Sequence, residues 1–266
     1  MDILKRNKAP FSPAIWSVLE AEALAVFQKH LSGRKVVDYT GPAGLAFAGV
    51  NTGRAVASKE KLGSVSVSVR ENLPVLELKV PFVVQESEIE LILRGAPAFD
   101  NESIVKAAKT LCEAENALVF DGLKKEGIEG ILSALCNPGV KVKGDDILPG
   151  VAEAVKELAN AQVDGPYALL IQPQYYGKLF SVAGNAGYPL TKKLSELLKG
   201  GEVLPVPSLK KGAMVVSQRG GDYEILGGVD IAMGYNKETA SGHELFFFET
   251  LTFRVNTPEA AVALEW

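Results

Sequence analysis

From Ala43 to Glu71 the chain is rich in glycine and thin in large apolar residues, yet within it Val65-Ser66-Val67-Ser68-Val69 alternates strictly. Alternation at period two makes a strand with one apolar and one small polar face. A stretch with so little to bury does not build a core of its own. Two arrangements satisfy it equally well: an arm that lays its apolar face on a neighbouring molecule, or a hairpin on the surface of its own fold. The core has to come from the rest of the chain.

The rest supplies it. Ser12-Pro13 is a helix start, a capping side chain followed by proline at the first helical position. Ile15, Trp16, Leu19, Ala23, Val26, Phe27 and Leu31 then recur near the helical period as one stripe, and Gly33 closes the helix. Val36–Tyr39 reads as a short strand before the Gly41-Pro42 turn, and Leu73–Val84 as a strand whose Pro74 and Pro81 mark ends or an edge. The longest expected helix covers 101–126, with the stripe Ile104, Ala108, Leu111, Cys112, Leu118 and Val119, and with Lys124 and Lys125 in its last turn, where cations suit the helix dipole. Helices are expected over Val151–Ala161, Pro173–Ala183 and Pro189–Leu198, and strands at Tyr167–Ile171, 202–206, 213–218, 223–227 and 245–255. Helices and strands mix without a βαβ rhythm, which predicts an α+β fold.

The chemistry census is mostly silent. The 266 residues are 47% hydrophobic and 23% charged with net charge −4, which excludes a disordered chain and a basic nucleic-acid footprint. The apolar runs are too short to span a bilayer, and the N-terminus has no apolar h-region, so a cytoplasmic protein off the membrane is expected. With 2 histidines and 2 cysteines there is no three-histidine metal site, CxxC or HExxH. Nor is there a GxSxG elbow, a phosphate-binding P-loop or a GxGxxG turn. His30 is read as helix-surface packing, His243 as part of a polar loop, and Cys112 and Cys136 as free and buried. No catalytic and no metal-binding residue is expected.

Against this background an ordered set of short motifs runs the length of the chain. It begins with Leu4-Lys5-Arg6, Ala9-Pro10, Trp16, Gly33-Arg34-Lys35-Val36-Val37-Asp38, Gly41-Pro42 and Gly44. Leu73-Pro74 with Glu77-Leu78, Phe120 with Gly122, and Gly127 to Ser133 follow. Gly165-Pro166-Tyr167, Tyr188-Pro189-Leu190, Ser217 with Arg219-Gly220-Gly221-Asp222, and Glu249-Thr250 with Thr252-Phe253 complete it. None is specific alone; their ordered co-occurrence is. In this the sequence resembles the family 1 encapsulin shell proteins, also called linocin-like bacteriocins.

The resemblance implies the tailed-bacteriophage major capsid protein fold of Hong Kong 97 type. It places a peripheral domain at 1–46, 73–131 and 222–256, an extended loop at 47–72, and an axial domain at 132–221 and 257–266. Residues 47–72 would then be the intersubunit arm. It implies a non-enzymatic homo-oligomer closing into an icosahedral shell, of 60 copies by the chain's compact length. Such a nanocompartment encloses a peroxidase or a ferritin-like iron-oxidising protein, bound through a C-terminal targeting peptide and serving iron storage or oxidative-stress defence. By resemblance the cargo-peptide groove involves Phe27 and Leu31 on its helix side, Ile231 and Met233 on its strand side, and Arg34 and Asp38 as polar positions that fix register. The pore loop would be Gly184, Asn185, Ala186, Gly187 and Tyr188, uncharged and weakly selective. Some relatives stack a flavin on a shell tryptophan; Ser87 stands where that aromatic would be, so no cofactor is expected. A prophage-derived capsid protein and a linocin-type hydrolase are the rival readings. The start close to the first helix speaks against a scaffold or cleaved delta region, and the missing nucleophile motifs against the hydrolase.

Overall fold

The computed structural model describes residues 3–143, 146–177, 179, 190–209 and 212–266. In chain order the elements are α1 (Pro13–His30), β1 (Asp38–Thr40), β2 (Gly49–Leu62), β3 (Val65–Pro74), β4 (Leu76–Gln85), α2 (Glu86–Leu93) and α3 (Glu102–Phe120). Then come β5 (Gly122–Leu123), β6 (Ile128–Glu129), α4 (Ile131–Ala134), β7 (Val140–Lys141), α5 (Leu148–Asn160), β8 (Tyr167–Ile171), α6 (Pro173–Tyr176) and α7 (Leu190–Leu197). The last strands are β9 (Val203–Pro205), β10 (Ala213–Ser217), β11 (Tyr223–Glu238), β12 (Gly242–Val255) and β13 (Ala261–Glu265).

Two main sheets carry the fold. One has four strands in the order β1-β11-β12-β4, the other five in the order β7-β13-β10-β8-β9. In β8 and β10 every residue is buried, so both faces of the five-stranded sheet are covered there. α5 contributes Val151, Ala154 and Leu158 to that core. On the four-stranded sheet, α1 and α3 bury their stripes against Phe82, Val84, Met233, Leu245 and Phe247. All seven stripe residues expected in α1 are buried. The two helices are joined at α1's end: Asn116 Oδ1 accepts from Gly33 N–H at 2.8 Å, and its Nδ2 donates to the His30 carbonyl at 2.8 Å. This caps α1 at His30 from a distant residue. β4 is an edge strand, which is where Pro81 is tolerated. Among the described residues β2 and β3 pair only with each other, leaving Val56, Leu62, Val65 and Val69 exposed.

Several expectations needed correction. The helix expected over 101–126 stops at Phe120, and Lys124 and Lys125 sit in a separate 3-10 turn, Lys124–Glu126. The cause is Gly122 at φ 77°, whose backbone passes so close to Gly130 that a Cβ at either position would strike the other's main chain. The strand read at 223–227 runs on to Glu238. Within the continuation, Gly234 leaves the space that the Phe246 ring fills, with no room for a Cβ. His243 is not in a polar loop but buried in β12, its ring edge-on to Phe11 at 4.8 Å and its Nε2 2.7 Å from Glu86 Oε2. Cys112 is buried as expected, but Cys136 is exposed. Of the helix expected over Pro173–Ala183, only the first turn and Leu179 are described, and Gly184–Tyr188 lie outside the described residues.

Candidate functional site

α1 crosses the four-stranded sheet beside the far half of β11, and a groove of about 420 Å³ opens between them. Its helix wall is Ser17, Glu20, Ala21, Ala23, Leu24 and Phe27; its sheet wall is Ile231, Ala232, Met233 and Phe247. Leu24 points out of the helix stripe and is 54% exposed, an apolar side chain with nothing over it. Phe27 meets Phe247 edge-on, ring centroids 5.2 Å apart, and Met233 is buried beneath. The sheet wall bends because the β11–β12 register slips between Val229 and Ala232, the signature of a bulge. At one rim Arg6 pairs with Glu20 at 2.7 Å while lying 4.2 Å over the Trp16 ring. The groove is apolar with a polar rim, which suits an extended apolar segment.

Phe27, Ile231 and Met233 are thus brought together. Leu31 is not in the groove wall; it is buried in the core below, one turn beyond Phe27. Arg34 lies behind the groove at the centre of a charged cluster. It bonds Glu115 through both Nε and Nη2, the latter at 2.7 Å, reaches Glu249 Oε1 at 2.5 Å and meets Asp230 at 2.8 Å. Glu115 and Glu249 are fully buried. Burial, with Glu115 beside it, pushes the Glu249 carboxyl up to about 9, so it keeps its proton at neutral pH. Arg34 touches the groove only through Asp230, whose Oδ1 also accepts from Ile231 N–H at 2.8 Å. Asp38 is elsewhere: it accepts from Gly221 N–H and lines a separate cleft of about 140 Å³ with Lys35, Gln218 and Gly220. Ser87 is exposed in the first turn of α2, its hydroxyl 3.2 Å from Glu88.

Leu24, Ala21 and Ser17 were missed in the sequence because they lie off the apolar stripe. Leu24 was findable, being a large apolar residue on a face the stripe leaves to solvent. Burial and Glu115 push the Cys112 thiol up to about 12, an inert thiol rather than a nucleophile. Among the described residues no three His, Cys, Asp or Glu side chains are placed to hold a metal ion, and no helix is long and apolar enough to cross a membrane.

The family model described as an encapsulating protein for peroxidase matches residues 1–252. A type 1 encapsulin shell protein of Mycobacterium tuberculosis is 37% identical over 266 residues, 99% of each chain. A ferritin-like–encapsulin shell fusion protein of Pyrococcus furiosus is 27% identical over 76% of this chain and 55% of its own. Among solved structures, the virus-like particle from Pyrococcus furiosus covers 94% of this chain and 99% of its own, with TM-score 0.67 and 22% identity. The capsid of the Myoviridae phage XM1 covers 88% and 91%, with TM-score 0.57 and 11% identity. The fold is therefore that of the tailed-phage capsid proteins, Hong Kong 97 type, and the molecule is a structural, non-enzymatic shell subunit. The chain belongs to the encapsulin family, as a shell protein of a nanocompartment.

Proposed function

We propose that sixty copies of this chain close into an icosahedral shell in the cytoplasm, and that the α1–β11 groove receives the C-terminal targeting peptide of the enclosed enzyme. The enzyme is a peroxidase or a ferritin-like iron-oxidising protein, the two classes named for the matching family model and for the fused relative. The single observation that carries the groove reading is the exposed Leu24, beside Phe27 on the helix wall, facing Ile231 and Met233 across an apolar groove. Large apolar anchors in such a groove dominate peptide binding. Leu31 supports the groove from beneath, and Arg34 acts on it by holding Asp230 and the bend in β11. Asp38 takes no part in that reading.

In the same reading the strands paired with β12 form the peripheral domain, those paired with β10 the axial domain, and β2–β3 the arm between subunits. The pore loop Gly184–Tyr188 passes small solutes without charge selection, and no flavin is held beside Ser87.

Shells carrying Leu24→Asp or Ile231→Asp test the groove. Both variants should assemble normally and lose copurifying cargo by about tenfold or more, read as the cargo-to-shell ratio in purified particles. Unchanged loading in both would sink the reading.

A further inference from the structure

The two sides of β11 have different fates. On one it pairs with β12 from Tyr223 to Glu238. On the other, β1 lies only against Glu224–Leu226. The carbonyls of Gly227 and Gly228 then accept from Ala43 and Gly44 N–H at 3.0 and 2.6 Å, and further on Tyr235 N–H donates to the Leu4 carbonyl at 2.8 Å. From Val229 to Gly234 no strand lies on this side among the described residues. Val229 N–H is taken by Thr250 Oγ1 and Ile231 N–H by Asp230 Oδ1, each at 2.8 Å.

The direction of Met233's main chain follows from the register. Ala232 to Tyr235 pair one for one with Phe248 to Leu245, without a slip. In an antiparallel ladder the main-chain groups of successive residues point alternately to one side and the other. Tyr235 N–H points away from β12, since it reaches Leu4. Met233, two residues back in the same regular run, points the same way. Its N–H and C=O therefore face the vacant side, where Ile231, Ala232 and Met233 form the groove wall.

We propose that the groove's peptide binds as an added strand, its main chain pairing with Met233 N–H and C=O and alternate side chains packing toward Phe27 and Ile231. This rests on the groove reading above. An extended occupant satisfies both the apolar wall and the main-chain groups of Met233. A helical occupant would spend its main-chain bonds on itself and shut those groups from water unpaired. The segments at Gly44 and Leu4 close the edge at its two ends. The occupant is therefore about six residues, roughly 20 Å of strand at 3.3 Å per residue. Proline is excluded where the peptide N–H meets the Met233 carbonyl.

The test uses assembled shells and one fluorescein-labelled probe, the alternating hexapeptide Leu-Ser-Leu-Ser-Leu-Ser-amide, together with its six single backbone N-methylated forms, read by fluorescence anisotropy. Strand addition predicts that N-methylation weakens binding about tenfold or more at the one position whose N–H meets the Met233 carbonyl, while the other positions tolerate it. It also predicts that Leu24→Asp abolishes binding of the parent peptide. Equal tolerance at all six positions overturns strand addition, as does the absence of binding at millimolar peptide. Either result leaves the groove reading to be judged by cargo loading alone. If the single sensitive position and its dependence on Leu24 hold while cargo loading ignores Leu24→Asp, strand addition stands and the occupant is another peptide.

Discussion

Arg34 carries one positive charge into contact with two fully buried carboxylates, Glu115 and Glu249, and a third, exposed one, Asp230. Tyr39 on β1 lies over its guanidinium at 4.8 Å, and Cys112 on α3 faces the same pocket. One cation does not balance two anions out of water, so the proton kept on Glu249 completes the cluster, its hydroxyl bonding Glu115. Its carboxyl lies near 4.5 when unfolded and at about 9 when folded. Between these values the folded chain holds a proton that the unfolded chain has lost. The contribution is full below pH 4.5, falls through the window and is gone above 9. Glu249→Gln keeps a donor for Glu115 and removes the titration. Its melting temperature should fall on the order of 5 °C less than the wild type's between pH 6 and pH 9. Equal slopes would contradict the shared-proton arrangement. Sequence reading placed Arg34 beside the groove but had no view of this cluster, because its acidic partners lie 81 and 215 residues away along the chain. Local spacing carries the stripe of α1; it does not carry a long-range ion cluster.

At the scale of elements, the β2–β3 hairpin leaves large apolar side chains uncovered by its own subunit. Leu62, Val65 and Val69 are 73%, 60% and 62% exposed, on strands that among the described residues pair only with one another. A two-stranded ribbon alone is marginal in water, and its free edges invite another chain. Val65→Lys with Val69→Lys should leave the stability of the dissociated subunit within about 0.5 kcal/mol while preventing particle formation, measured by denaturant titration and size-exclusion chromatography. Particles of normal size and stability would remove the hairpin from the assembly contacts. Its strand alternation and lack of core were legible in the sequence; whether it served as an arm or a surface hairpin was not, because both have the same residue pattern. The over-long α3 and the shortened β11 failed differently. Each turned on glycines at Gly122, Gly130 and Gly234 whose meaning depends on what lies against them.

For the whole molecule, sixty copies of 28.3 kDa should scatter light as a particle of about 1.7 MDa, hollow and round in micrographs. A uniform larger particle would keep the shell and change the copy number; a stable 28.3 kDa monomer under many conditions would contradict assembly. The α+β class was readable from the mixture of elements, but how the chain distributes them between two sheets was not, since nothing local says that β10 and β13 are neighbours. The chain leaves the five-stranded sheet after β10, lays down β11 and β12 in the other sheet, and only then returns to place β13 between β7 and β10. This order leaves the five-stranded sheet incomplete until the last strand is in place. A chain interrupted before residue 261 has its four-stranded sheet complete, yet β10 is bare along one edge and Val262 and Leu264 are missing from the core. The closing strand thus sets the integrity of the sheet begun much earlier in the chain, and a chain truncated before Ala261 is expected to lose order in the five-stranded sheet while the four-stranded sheet keeps all its strands.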